Sequence, residues 1–116
     1  MRLDDSWPTD PRLDPFRDSV WELRRNGRLE AYLTCRVIPM RAFPHPWAKS
    51  EWLWYQVHWL MGRREGAQTE NGPDWPIVAG LEQGRFEHDD IRTIVFEARR
   101  VAGPERDQLW KQYGPA

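Results

Sequence analysis

A chain of 116 residues suits one domain, and 40% apolar with 30% charged residues is a globular rather than a disordered balance. The formal net charge of −1 argues against a bulk electrostatic grip on nucleic acid or on an anionic membrane. A single cysteine, Cys35, excludes an internal disulfide framework and favours a reducing compartment.

Residues 1–13 carry Pro8, Pro11 and several Asp residues and are expected to form an extended N-terminal arm, followed by one domain over 14–116. No apolar run follows Met1-Arg2-Leu3-Asp4-Asp5, so no signal peptide is expected. Asp14 suits an N-cap and Pro15 the first helical position. Phe16, Val20 and Leu23 recur at helical spacing, and Asn26-Gly27 supplies a stop, so a helix is expected here with Trp21 off its stripe. Leu29 to Val37 alternates, with Leu29, Ala31, Leu33, Cys35 and Val37 on one side, which predicts a half-buried strand. Pro39, Pro44 and Pro46 then force a loop.

Trp47 to Met61 is expected to be the central helix. Leu53, Trp54, Val57, Leu60 and Met61 form an aliphatic arc, and Trp52, Tyr55 and Trp59 an aromatic arc nearly opposite. Its apolar part, Trp52 to Met61, is too short to span a bilayer and is interrupted by Gln56 and His58. A polar connection runs from Arg63 to Asp74. Ile77–Leu81 predicts a short strand, Arg85–His88 another, and Ile91–Val101 a clearly alternating one. Gly103-Pro104-Glu105 opens a closing helix with Leu109, Trp110 and Tyr113 on its apolar face. The expected fold is α+β, a small antiparallel or mixed sheet of three to four strands packed against about three helices.

No phosphate-binding glycine loop, paired-cysteine zinc pattern or nucleophile elbow is present. The weak catalytic candidates are His45, in a proline-rigid loop, with His58 and Glu51. On a helix the last two would stand two turns apart, roughly 10 Å along the axis. His88, Asp89 and Asp90 form a weak metal candidate in a turn. Cys35, on the inward side of its strand, reads as an inert thiol.

The chain holds eight tryptophans, and only Lys49 and Lys111 among its basic residues are lysines. Trp and Arg are enriched at binding hot spots, which nominates Trp21, Trp52, Tyr55, Trp59, Arg63 and Arg64 as a binding set. The stretch from Glu97 to Trp110, Glu-Ala-Arg-Arg-Val-Ala-Gly-Pro-Glu-Arg-Asp-Gln-Leu-Trp, resembles the strand-to-helix tail of deazaflavin-dependent nitroreductases. That likeness covers a small part of the chain, and the Gly/Arg-rich cofactor-binding stretch has no counterpart earlier, so no functional residue is carried over.

The favoured expectation is a non-enzymatic interaction module, cytoplasmic, without cofactor or membrane, partnering another protein or itself. The alternatives are a small enzyme or ligand-binding domain with a pocket beside the central helix, and a nucleic-acid binder using stacked aromatics and Arg.

Overall fold

The computed structural model describes residues 9–41, 49–60, 66–69, 75–87 and 95–114. They form strands β1 (Ser19–Arg25), β2 (Arg28–Arg41), β3 (Lys49–Trp59), β4 (Gly66–Thr69), β5 (Arg85–Glu87) and β6 (Val95–Val101). Two α-helices accompany them, α1 (Trp75–Glu82) and α2 (Gly103–Tyr113), with one 3-10 turn at Asp14–Phe16. The strands make one antiparallel sheet in the order β4-β3-β2-β1-β6-β5. The molecule is mostly sheet, so the expectation of three to four strands under about three helices is corrected. Among the described residues no helix is long and apolar enough to cross a membrane.

Three segments account for the difference. The expected first helix stops after one turn, because Asp18 takes a left-handed φ of 51° and Ser19 opens β1. From there Trp21 and Leu23 point to the core while Val20, Glu22 and Arg24 point away, a period of two that the helical spacing of Phe16, Val20 and Leu23 masked. Asn26-Gly27 is a hairpin turn and not a helix stop. Both residues have positive φ, 54° and 76°, and Arg25 pairs with Arg28 across the two-residue loop, as a type I′ turn requires.

The expected central helix is β3. Its two apolar arcs are the two faces of a strand: Leu53, Tyr55, Val57 and Trp59 turn to the core, and Trp52, Trp54, Gln56 and His58 to the other side. Aromatic and β-branched residues suit a pleated surface covered on both faces. Conversely, the strand expected at Ile77–Leu81 is α1, with Pro76 in its first turn and Ile77, Val78 and Leu81 buried on one side. Gly84, at φ 78°, then turns the chain into β5.

The main core lies on one face of the sheet. Leu13 and Phe16, just before β1, and Ile77, Val78 and Leu81 of α1 cover inward side chains of the strands. Each fully buried Leu or Phe contributes about 1.5–3 kcal/mol of transfer free energy. Tyr55 meets Phe86 edge-on at 5.8 Å, and Trp59 lies 5.7 Å from Phe96. The opposite face is partly covered by α2, which packs on β1. Val20 and Val101 are buried there, apart from the main core.

Candidate functional site

The second face of the sheet has two zones. The first is a polar row. Register aligns Arg99 of β6 with Glu22 of β1, Glu22 with Tyr32 of β2, and Tyr32 with His58 of β3. With strands about 4.8 Å apart, this row spans roughly 14 Å. Glu22 is 4% exposed, and its Oε1 accepts from Arg99 Nη2 at 2.8 Å, Arg99 Nε at 3.0 Å and Arg24 Nε at 3.2 Å. A buried carboxylate needs such partners, since desolvation without them costs several kcal/mol. His58 is 3% exposed, with Nε2 2.9 Å from Thr34 Oγ1.

Tyr113, in the last turn of α2, closes over the row, 4.9 Å from the His58 ring and 5.7 Å from the Tyr32 ring. Burial, together with the carboxylates of Glu22 and Glu105, pushes the Tyr32 phenol up. Arg106 of α2 donates to the Asp18 carbonyl through Nε at 3.1 Å and also through Nη2. No residue of α2 is buried; Arg106, Leu109, Trp110 and Tyr113 are half-buried and share one face by their i, i+3, i+4, i+7 spacing. The row therefore serves as the seat of α2. Among the described residues no group of three or more His, Cys, Asp or Glu could hold a metal.

The second zone is a ribbon. β1 pairs with β2 only as far as Ser19↔Cys35, and β4 with β3 only as far as Trp54↔Thr69. Among the described residues β2 and β3 continue from Arg36↔Trp54, the last pair that β4 still flanks, as a two-stranded ribbon to Arg41↔Lys49. The outer face of this ribbon presents Ile38 opposite Trp52 and Arg36 opposite Trp54. Trp52, Trp54 and Ile38 are half-buried and outside the core, and Arg36 is exposed. The Trp52 indole N–H donates to Ser50 Oγ at 2.9 Å, so its polar edge is satisfied.

The residues singled out from sequence scatter. Trp21 and Tyr55 are core, 7% and 0% exposed, and Trp59 packs against that core. Trp21 stacks on Phe16 at 5.9 Å and donates to Ser19 Oγ at 2.9 Å. Of the proposed binding set only Trp52 lies on the ribbon's outer face; Arg63 and Arg64 fall outside the described residues. So do His45, His88, Asp89 and Asp90.

Glu51 and His58 are not brought together, since an odd separation in sequence sets them on opposite faces of β3. Glu51 is 8% exposed on the inner side, where its Oε1 accepts from Arg17 Nη2 at 2.5 Å and from the Asp10 N–H at 2.7 Å. Arg17 also reaches Asp14 Oδ1 at 2.8 Å. The Arg17 guanidinium holds the Glu51 carboxyl below its ordinary range, against the opposing effect of burial. This carboxylate fastens residues 10–17 to the sheet.

Sequence reasoning missed Glu22, Thr34, Arg99 and the role of Tyr113. The alternation of Ser19–Arg25 was the available signal for Glu22. The chain matches no family model, no curated protein and no solved structure.

Proposed function

We propose that the protein is a non-enzymatic interaction domain, an accessory subunit or regulator of another protein, that acts in the cytoplasm and engages its partner through the outer face of the β2–β3 ribbon. The observation that carries this reading is the placement of Trp52, Trp54 and Ile38. They lie half-buried and outside the core, beside an exposed Arg36, where the sheet narrows among the described residues from three strands at Trp54 to two at Trp52. Large aromatic side chains with a neighbouring guanidinium are the usual anchors of protein interfaces. A pocket built from Glu51 and His58 finds no support, because the two side chains diverge.

The test is site-specific photo-cross-linking in the native host. A photoreactive residue in place of Trp52 should trap a discrete protein adduct, identified by mass spectrometry. The same residue in place of Gln83, exposed in the turn after α1, should not. Absence of adducts at Trp52, or the same adducts at both positions, removes the reading.

A further inference from the structure

The ribbon's outer face has a charge character of its own. Among the described outward positions, Thr34, Arg36 and Ile38 on β2 and Ser50, Trp52, Trp54 and Gln56 on β3, none is a carboxylate. Arg36, by contrast, is exposed and forms no ion pair among the described residues. Arginines elsewhere on the sheet, such as Arg24, Arg25 and Arg99, are each held by a glutamate. The one carboxylate of the ribbon, Glu51, is on the opposite face and is taken up by Arg17.

An uncompensated cation set among aromatic and aliphatic side chains is complementary to a carboxylate flanked by apolar groups. Along β3, Trp52 and Trp54 recur at about 6.8 Å, the repeat at which an extended chain presents alternate side chains. We infer that the outer face of the ribbon takes an extended acidic protein segment, whose carboxylate pairs with Arg36 while its neighbouring apolar side chains pack on Trp52, Trp54 and Ile38. This rests on the reading of the protein as an interaction domain and names the chemistry of its partner. Single-stranded nucleic acid fits the same aromatics less well, because a phosphate backbone needs a run of cations and this face offers one described unpaired guanidinium on a chain of net charge −1.

The test uses the full chain and three fluorescein-labelled probes, read by fluorescence anisotropy. They are a decapeptide alternating Asp with Leu, its Lys-for-Asp counterpart, and a ten-nucleotide oligothymidylate. The Asp peptide should bind at least about tenfold more tightly than the Lys peptide, and added salt should weaken it severalfold. Arg36→Glu should abolish the binding and Arg36→Gln weaken it severalfold, with thermal midpoints unchanged because the side chain is exposed. Equal binding of both peptides, indifference to Arg36→Glu, or binding of neither peptide overturns the inference. Tighter binding of the oligothymidylate also overturns it and makes the face a nucleic-acid surface. If the acidic probe fails while Trp52 still cross-links to a protein, the interaction domain stands with a partner of other chemistry; if cross-linking fails as well, both fall.

Discussion

Two buried carboxylates divide the structural work on the two faces of the sheet. Glu51 ties residues 10–17 to β3, and Glu22 joins β1 to β6 through Arg99. Replacing Glu51 by Gln removes a charge-assisted acceptor and should cost about 1–3 kcal/mol, read from the urea midpoint near neutral pH. The pH dependence follows from the direction of its shift. Glu51 titrates lower in the folded chain than in the unfolded one, so the unfolded chain binds its proton first as pH falls. The contribution is therefore fully present above the unfolded carboxyl range, about 4.3, and disappears as pH falls through the folded value. The gap between wild type and Glu51→Gln should close on acidification; a gap constant with pH would mean the carboxylate is not held by Arg17. Cys35 behaves differently. Burial pushes its thiol up to about 12, against a small opposing effect of Ser19. It should resist a disulfide reagent in native protein and react on unfolding.

Among the elements, the β1–β2 hairpin depends on two residues. Gly27 has φ 76° with nothing within 4 Å of where a Cβ would stand, so Gly27→Ala tests backbone conformation alone. It should destabilise by about 1 kcal/mol, measured by denaturant unfolding. Helix α2 rests on the polar row through Tyr113 and is tied to the Asp18 carbonyl by Arg106. Tyr113→Ala should accelerate amide exchange in α2 while leaving that of β2 and β3 unchanged; a uniform increase across the chain would instead make α2 part of the main cooperative unit. The elements legible in sequence were those where one period dominated: β2 over Leu29–Val37, β6 up to Val101, and α2 with its Gly-Pro opening; Pro39, expected to end β2, lies inside it, since the strand runs on to Arg41. The segments misread were those where a run of apolar residues satisfies both periods. Trp52–Trp59 is apolar on both sides of a strand, so at 100° per residue it also yields two plausible helical arcs. Asn26-Gly27 ends a helix or turns a hairpin, and only the partner strand decides between them.

At the scale of the molecule, the site was less legible than the fold. The excess of Trp was visible, but which Trp is surface depends on strand phase, and a helical phase groups Trp52 with Tyr55 and Trp59. The sheet instead buries Tyr55, packs Trp59 on the core, and leaves Trp52 with Trp54 outside. The polar row was invisible because its four members lie on four strands and meet only through register. Trp54→Ala should lower partner affinity with the core intact. Trp21→Ala should instead destabilise the fold by about 3–5 kcal/mol, as expected for truncating a buried aromatic.

The place of β1 in the sheet bears on how the chain is made. β1 lies between β2, its immediate successor, and β6, which ends at Val101. The hydrogen bond from Arg99 to Glu22 spans 77 residues of sequence. During synthesis the meander of β1, β2 and β3 is complete long before β6 emerges, and at about 5–20 residues per second β1 waits roughly 4 to 15 s for its second neighbour. Throughout that interval the strand that ends up inside the sheet is an unprotected edge, open to the β1 of another nascent chain. Yield in the cell should therefore depend on the pace of translation through residues 95–101, and slowing it should favour aggregation even though the finished protein is unchanged.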